Sequence, residues 1–183
     1  ESSIGGKWLE LLKQIAPSVS RVAVIRDPTR FAWRSLMTAI EKAAPSFNVE
    51  VSGIDARGAM EMERLITAFA NSSNGGLIVT PSAFAAIFRE RIIALASRLK
   101  LPAIYFSRYF VVDGGLVSYG PDTIDQFRRA AGYVDRILKG EKPADMPVQA
   151  PSKFELVLNL RAAQGIDLNI PARFLDVADH VIR

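Results

Sequence analysis

The stretch Leu116–Leu160 reads LVSYGPDTIDQFRRAAGYVDRILKGEKPADMPVQAPSKFELVLNL, and it decides the fold of this chain. An apolar run at Leu116–Tyr119 stops at Gly120-Pro121, and Asp122 then stands at the N-cap position of an amphipathic helix. After that helix, a proline-rich connection leads to a second apolar run at Phe154–Leu158. The pattern predicts a strand, one helix, a linker and a returning strand.

The residues before this stretch predict a parallel sheet. Short apolar runs alternate with amphipathic segments, and strands separated by helices of this length imply right-handed crossovers. The expected strands are Val22–Ile25, Val49–Ile54, Leu77–Thr80 and Ala103–Phe106. The expected helices are Trp8–Ile15, Phe31–Ala44, Met60–Phe69 and Ala83–Leu99, with a turn at Asn74-Gly75-Gly76.

The lone helix after Gly120 indicates that the chain leaves one domain and later returns to it. We expect residues 1–115 and 153–183 to form one lobe, with terminal helices around Pro171, and residues 116–152 to cross to a second lobe. Two lobes joined by crossovers are typical of proteins that clamp a ligand. The chain opens Glu1-Ser2-Ser3 without an initiator Met or a signal peptide, so we expect it to be a piece of a longer polypeptide.

Composition disfavours several classes of function. The net charge is +4, and the Lys and Arg residues are scattered over predicted helices instead of clustering as a nucleic-acid interface requires. There are no cysteines, and therefore no disulfide framework and no thiolate metal site. No apolar run approaches the roughly 18–20 residues that span a bilayer. We expect no nucleic-acid partner.

Motifs that carry catalysis are scarce. Neither G-x-G-x-x-G after a strand nor G-x-x-x-x-G-K-[ST] occurs, so both common phosphate cradles are missing. A catalytic triad or a histidine metal site would depend on His180 alone, and a surface or helix-end histidine is the simpler interpretation. We therefore expect no catalytic residue, no metal, no cofactor and no enzymatic activity.

Polar and aromatic residues do follow the predicted strands. In an open parallel sheet, ligands bind outside the carboxyl ends of the strands, where hydroxyls can bond a solute and aromatic rings can cover it. The alternative is that residues such as Asp27 and Ser82 only cap the helices that follow. The candidate ligand-binding residues are Asp27, Thr29, Thr80, Ser82, Tyr105, Ser107 and Tyr119.

Several segments resemble the ABC-transporter substrate-binding protein family that includes tryptophan/tyrosine-type solute receptors. They are GKWLELLK at Gly6–Lys13, RVAV at Arg21–Val24, LPAIY at Leu101–Tyr105, GGLVSYGPD at Gly114–Asp122, AGYVDRILKG at Ala131–Gly140 and the run Pro151–Leu160. The resemblance covers nearly the whole chain. It implies a three-layer α/β/α lobe of a type I periplasmic binding protein, with the crossover helix belonging to a second lobe that this chain lacks.

The resemblance also implies a function. Such a protein would be the periplasmic or otherwise extracytoplasmic component of an ABC importer, closing on a small amino-acid-like or aromatic solute and delivering it to the transporter permease. A sensory or regulatory ligand-binding domain of the same fold, such as a repressor core, is the alternative. The sequence preceding Glu1 discriminates between them, since an importer component would show a signal peptide and a lobe where a repressor would show a helix-turn-helix.

The crossover helix predicts a further partner. Ile124, Phe127, Ala131, Val134, Ile137 and Leu138 form an apolar stripe at helical spacing. Without a second lobe the stripe has nothing of its own to cover. We expect the chain to self-associate through residues 122–139, unless the helix folds back on its own lobe.

Overall fold

The computed structural model describes residues 4–26 and 33–183. Within these residues a seven-stranded sheet runs in the order β2-β1-β3-β4-β5-β6-β7. All neighbouring strands are parallel except β5 and β6, which are antiparallel. The strands are β1 Arg21–Arg26, β2 Glu50–Asp55, β3 Gly75–Val79, β4 Ala103–Tyr105, β5 Val117–Pro121, β6 Phe154–Asn159 and β7 His180–Ile182.

Helices connect the strands and cover both faces of the sheet. They are α1 Ile4–Ile15, α2 Trp33–Ala43, α3 Ala59–Ala70, α4 Ala83–Ile87, α5 Arg89–Arg98, α6 Arg108–Val112, α7 Thr123–Leu138, α8 Leu160–Gly165 and α9 Ala172–Val177. Short 3-10 turns occupy Ala44–Phe47 and Pro143–Asp145. The predicted α/β fold with a parallel sheet is confirmed.

Two buried clusters lie on opposite faces of the sheet, because successive strand residues point to opposite sides. In β1, Val22 and Val24 join the cluster under α1 and α2, whereas Ala23 and Ile25 join the cluster under α3 and α5. We call these the α1-side core and the α3-side core. The central strands are buried on both faces, which explains why they read as unbroken apolar runs.

Some element boundaries differ from the sequence-based expectation. The turn expected at Asn74-Gly75-Gly76 is confined to Asn74 (φ 60°), and β3 already begins at Gly75. Glycine suits these first strand positions because a Cβ on Gly75 would lie 2.9 Å from the Phe69 ring. The single helix expected over Ala83–Leu99 is divided at Phe88, where the backbone leaves helical geometry (φ −96°, ψ 19°).

The C-terminal region ends in a strand in addition to the expected helices. α8 and α9 flank Pro171, but His180–Ile182 form β7 and pair with Val157–Asn159 of β6. Asp179 helps to align the pair, since its carboxylate accepts a hydrogen bond from the Leu156 N–H at 2.7 Å. His180 is therefore a strand residue and does not lie at a helix end. A run of three residues is too short to show strand periodicity in the sequence.

The crossover segment leaves and re-enters the sheet at adjacent points. Asp122 caps α7 as expected, with its carboxylate accepting from the Asp125 N–H at 3.1 Å. The Asp122 N–H donates to the Lys153 carbonyl at 3.0 Å, and the Lys153 Nζ lies 3.0 Å from the Asp122 carboxylate. The cap bond from the Asp125 N–H and, after it, the Lys153 ammonium lower the pKa of the Asp122 carboxyl. None of the α7 side chains is buried.

Candidate solute-binding surface

An open cavity of about 320 Å³ lies at the carboxyl ends of the central strands. Its floor is formed by Pro81 after β3, Phe106 after β4, Pro121 at the end of β5 and Phe154 at the start of β6. These strand ends meet at one edge of the sheet. α1, α2 and α7 supply its walls. The described lining residues are Ile4, Trp8, Leu36, Pro81, Phe106, Ser107, Tyr109, Pro121, Thr123, Gln126 and Phe154.

The aromatic part of this lining is held in place by ring contacts. Phe106 meets Tyr109 edge-on, with ring centroids 5.8 Å apart, and Tyr109 stacks on Phe110 at 4.9 Å. The Arg89 guanidinium lies 5.3 Å from the centre of the Tyr109 ring. Burial raises the pKa of Tyr109, and Arg89 partly opposes that rise. The Tyr109 phenol therefore stays protonated and can donate a hydrogen bond at neutral pH.

Trp8 connects the cavity wall to the sheet. Its indole N–H donates to the Tyr119 carbonyl at 2.7 Å, which fixes α1 against β5. The Trp8 side chain is 1% exposed and belongs to the α1-side core, so it supports the cavity wall from within that core. A rigid, mainly apolar concave surface with a few polar groups is the usual form of a small-molecule site.

Ser107 is the one sequence-predicted candidate among the described lining residues. It stands at the N-cap position of α6, but its hydroxyl makes no capping hydrogen bond. Ser82 occupies the matching position before α4, and its Oγ does accept from the Ala85 N–H at 3.0 Å. The two serines follow neighbouring strands, yet only Ser107 belongs to the cavity.

The other candidates are placed elsewhere. Asp27 and Thr29 lie outside the described residues. Thr80 is buried, and its hydroxyl donates to the Ile25 carbonyl at 2.8 Å, which extends the pairing of β1 and β3. Tyr119 is half-buried, and its ring stacks on the cavity residue Phe154 at 5.7 Å.

Tyr105 does not reach the cavity. Its side chain is 1% exposed, belongs to the α3-side core and stacks on Phe110 at 4.8 Å. Burial raises its pKa. Tyr119 packs against the α1-side core, so the two tyrosines lie on opposite faces of the sheet. The two therefore do not share one concave surface, because Tyr105 is in register with Ser118, and Tyr119, one residue further along β5, points to the opposite side.

Most of the aromatic lining was missed by sequence reasoning. Phe106 ends one predicted strand and Phe154 begins another, while Trp8 begins an amphipathic helix. An aromatic ring in such an apolar pattern predicts burial first. Tyr109 lies on α6, which the sequence did not predict. Pro81 and Pro121 were the available signal, because proline cannot donate a ladder hydrogen bond and therefore marks the region where a strand ends.

A second open cavity of about 450 Å³ lies between α7 and the linker that follows it. Gln126, Arg129 and Tyr133 line its helix side, and Met146 and Val148 line its linker side. It is the larger of the two cavities. The strand-end cavity is nevertheless the better candidate for a functional site, because the linker side of the larger cavity is exposed chain without buried anchors and the strand-end cavity has a fixed floor.

A buried charge lies beside the strand-end cavity. Glu155 is on β6, its side chain is 7% exposed, and it accepts a hydrogen bond from Arg108 at 2.9 Å. Burial raises the pKa of Glu155, and the Arg108 guanidinium partly offsets this. The His180 Nε2 lies 3.9 Å from the same carboxylate. The ion pair joins α6, which carries Tyr109, to the returning strand.

The described residues contain no group of three or more acidic or histidine side chains placed to hold a metal ion. None of the helices in this part of the chain combines the length and apolarity that a membrane span requires.

A parallel-sheet lobe with an apolar cavity at its strand ends is the build of a ligand-binding α/β protein. Residues 3–182 match the family model of the ABC transporter substrate binding proteins. The chain belongs to that family, and the resemblance read from the sequence is confirmed. Among curated protein sequences, none matches the chain.

Solved structures share the fold. A conserved domain protein from Vibrio cholerae is 25% identical, with a TM-score of 0.86, over 97% of this chain and 60% of its own. An ABC domain from Streptococcus pneumonia in complex with L-Trp is 22% identical, with a TM-score of 0.86 and the same coverage. A transcription repressor of the LacI family from Corynebacterium glutamicum is 15% identical, with a TM-score of 0.60, over 86% of this chain and 63% of its own. The chain spans about three fifths of the length of the first two.

Proposed function

We propose that this chain is the second lobe of the extracytoplasmic solute-binding component of an ABC importer. The observation that carries the proposal is the strand-end cavity, an aromatic-lined surface in a chain that belongs to the ABC substrate-binding family. Its partners are then a small solute and the permease of the transporter. A small molecule held between two lobes favours the closed state, and the permease distinguishes closed from open.

The proposal includes the division of the chain. Residues 1–115 and 153–183 form the lobe, and residues 116–152 are the crossover segment. The absence of buried side chains on α7, next to a fully packed sheet, supports this division. The first residues of the crossover segment still pair in the sheet as β5, and Asp122 and Lys153 mark the points where the chain leaves the sheet and returns to it.

The residue types that line the cavity favour an amino-acid-like or aromatic solute. Its described residues include Trp8, Phe106, Tyr109 and Phe154 and no charged side chain, so this lobe would contact the apolar part of the molecule. The hydroxyl of Ser107 and the amide of Gln126 are available for a polar group. Thr80, Ser82 and Tyr119 remain candidates from the sequence, without a place in this lining.

Catalysis is not part of the proposal. The role of an importer component is reversible binding, and the sequence offers neither a phosphate cradle nor a histidine besides His180. A regulatory ligand-binding domain of the repressor type remains the alternative, and the repressor fold is the weaker match in both TM-score and identity.

Because the proposed solute site lies between two lobes, the test is isothermal titration of the full two-lobed protein with L-tryptophan, L-tyrosine, L-phenylalanine, L-leucine and benzoate. We expect at least one aromatic member to bind and to raise the melting temperature, as any ligand of the folded state must. Absence of both binding and thermal stabilisation across this panel would contradict the proposal.

A matched pair of serine variants locates the site. Ser107→Ala should weaken binding of the best panel member by about tenfold, corresponding to ~1–1.5 kcal/mol for one lost hydrogen bond. Ser82→Ala should leave the affinity unchanged and lower the free energy of unfolding by ~1 kcal/mol, because it removes a helix cap. The reverse pattern would place the solute at Ser82, as the sequence predicted, and remove it from the cavity.

A further inference from the structure

The short helix α6 stands directly beside the strand-end cavity. Ser107 precedes its first residue, Tyr109 is its second residue, and both line the cavity. The helix has only five residues, and a helix of that length is not stable by itself in water. The positions of Ser107 and Tyr109 therefore depend on the contacts that hold α6 against the sheet.

Two polar contacts tie α6 to β6. At the start of the helix, Arg108 Nη1 donates a hydrogen bond to Glu155 Oε2 at 2.9 Å. At its end, Asn159 Nδ2 donates to the Val111 carbonyl at 3.2 Å. The second contact joins neutral groups, whereas the first is an ion pair. The ion pair is also the contact nearer to the cavity, because Arg108 lies in the chain between the two cavity residues of α6.

The ion pair depends on a passage across β5, and Gly120 provides it. Gly120 is the register partner of Glu155, so side chains at these two positions point to the same face of the sheet. A Cβ on Gly120 would collide with the Phe106 carbonyl oxygen. The chain that leads into α6 thus crosses this face of the sheet where a side chain is missing, and Arg108 follows two residues later within reach of the carboxylate.

Neither member of the ion pair lines the cavity in the described part of the chain. Phe154 is a lining residue, and Glu155, the next residue of β6, points to the opposite face of the sheet. The Glu155 side chain is 7% exposed and the Arg108 side chain 32%. The ion pair therefore lies behind the cavity lining, and it can influence a solute only through α6.

We propose that the Arg108–Glu155 ion pair is a positioning pair for the solute site, holding α6 against β6 so that Ser107 and Tyr109 face the solute. This inference rests on the proposed function, because it concerns the cavity to which solute binding is assigned. Charge-assisted hydrogen bonds are roughly twice as strong as neutral ones, so the ionised Glu155 holds α6 more firmly than the protonated residue does. The affinity for solute is thereby linked to the charge of a residue outside the cavity.

Charged groups on several elements act on Glu155. Burial raises its pKa most, and Asp122 before α7 and Asp179 before β7 add to that rise. Arg108 and His180 oppose it. As the pH falls through the folded pKa, which lies above the ordinary value of 4.5, Glu155 takes up a proton and its bond to Arg108 weakens. The affinity for solute should therefore fall in acid.

The stability of the fold should respond to Glu155 in the opposite direction. Protonation removes a buried charge, so the contribution of Glu155 to the free energy of unfolding rises as the pH falls. A purely structural residue would change affinity and stability in the same direction. Two other ion pairs lie nearby, Lys153 with Asp122 and Arg89 with Asp113 at the end of α6. Since these acids also titrate, Glu155→Gln is needed to isolate the effect of Glu155.

Hydrogen exchange of the full two-lobed protein, without solute, measures how firmly α6 is held. Its amides donate to backbone carbonyls, as Gly115 does to Phe110 at 2.8 Å. We expect Arg108→Ala to accelerate exchange over residues 106–116 about tenfold at neutral pH, and Arg108→Lys, which keeps the charge, by no more than about threefold. Unchanged exchange in Arg108→Ala would overturn the proposal.

Arg98→Ala is the matched control for both experiments. Arg98 of α5 donates to Glu63 of α3 at 3.0 Å, so the variant also removes an arginine from an ion pair between two elements. Neither residue lines the strand-end cavity. This variant should leave both the exchange of α6 and the affinity for solute unchanged, and an effect equal to that of Arg108→Ala would overturn the proposal.

Isothermal titration of the same protein with L-tryptophan, L-tyrosine and L-phenylalanine over a range of pH tests the effect on binding. Arg108→Ala should weaken a solute that binds the wild type about tenfold at neutral pH, because α6 is then in place for a smaller fraction of the time. The wild-type affinity should fall in acid, and Glu155→Gln should lose that dependence. A pH profile that Glu155→Gln leaves intact would overturn the proposal. If none of the three binds the wild type, the proposed function is contradicted instead, and the exchange experiment decides the role of the ion pair by itself.

Discussion

Among single residues, Gly120 shows most directly how close packing dictates residue type. A Cβ at this position would lie 2.0 Å from the Phe106 carbonyl oxygen. Real side-chain carbons do not approach a backbone oxygen so closely, so β4 and β5 could remain side by side only after a backbone shift. Glycine is required here by a neighbour and not by an unusual φ angle.

We predict that Gly120→Ala lowers the free energy of unfolding by ~1–3 kcal/mol or more, the usual range for overpacking. Gly132→Ala is the matched control, because an added Cβ on that helical glycine meets nothing within 4 Å. The control should gain ~0.5–1 kcal/mol from helix propensity. Urea unfolding of both variants measures the difference, and equal midpoints would show that β4 and β5 separate without cost.

The buried Glu155 makes the free energy of unfolding depend on pH, in a direction that follows from its raised pKa. Burial raises its pKa, so the folded protein holds this proton more tightly than the unfolded chain does. The stabilisation from its protonated form is therefore complete below its ordinary pKa of 4.5 and is lost as the pH rises through the folded value. Arg108 and His180 act in the opposite direction, and Asp122 and Asp179 in the same one.

We predict that the unfolding free energy of the wild type minus that of Glu155→Gln decreases as the pH rises above 4.5, the ordinary pKa from which the folded value is raised. Glu141→Gln is the control with the opposite sign, since Arg136 lowers the pKa of Glu141. For that variant the difference should increase with pH over the acidic range. Urea titrations at several pH values measure both slopes, and a rising slope for Glu155→Gln would contradict the assignment.

The candidate site shows why single residues were hard to predict from the sequence. A hydroxyl after a strand can cap the next helix, as Ser82 does, or leave its hydroxyl beside a cavity, as Ser107 does. The two have the same sequence context, a serine preceding a short helix. What separates them is the position of neighbouring strands in the sheet, which the local sequence does not contain.

Among elements, α7 is joined to the lobe chiefly through Asp122. This residue caps the helix and also pairs with Lys153 on the returning chain. Asp122→Ala removes both interactions, Asp122→Asn keeps a good cap and removes the charge, and Lys153→Ala removes only the ion pair. The three variants therefore separate the two contributions.

We predict that the helix signal in circular dichroism and the urea midpoint fall most for Asp122→Ala. Asp122→Asn and Lys153→Ala should resemble each other and lie near the wild type, because an ion pair whose lysine is exposed to solvent contributes little. If Lys153→Ala were as damaging as Asp122→Ala, the salt bridge and not the cap would hold the helix.

Element types were predictable where the apolar pattern was long enough. The strand, helix and returning strand over residues 116–160 follow from a proline stop, an N-cap and a change of period, and all three are present. α6 and β7 were missed because five and three residues span too little of a period to be distinguished from a loop. The break at Phe88 was missed because the apolar spacing continues across it.

On the scale of the whole molecule, the sheet is packed on both faces, and a cavity stays open at the strand ends. Both faces of the sheet carry closed cores, so folding does not depend on the cavity. The cavity lies where parallel strands end, and its lining is drawn from residues distant in sequence, from Ile4 to Phe154. The position of this cavity at the strand ends was therefore predictable from the fold class, whereas its aromatic lining required the three-dimensional arrangement.

The antiparallel pairing of β5 with β6 has a consequence for how this lobe can change over time. Pro121 pairs with Phe154 at the end of the antiparallel register. β5 and β6 therefore form one long hairpin, and residues 122–153 are its loop. A hairpin loop can be shortened, lengthened or replaced without shifting the strands beside it. The helix and linker are thus an exchangeable insert, and the lobe is a scaffold that can inherit a different insert while keeping its own core.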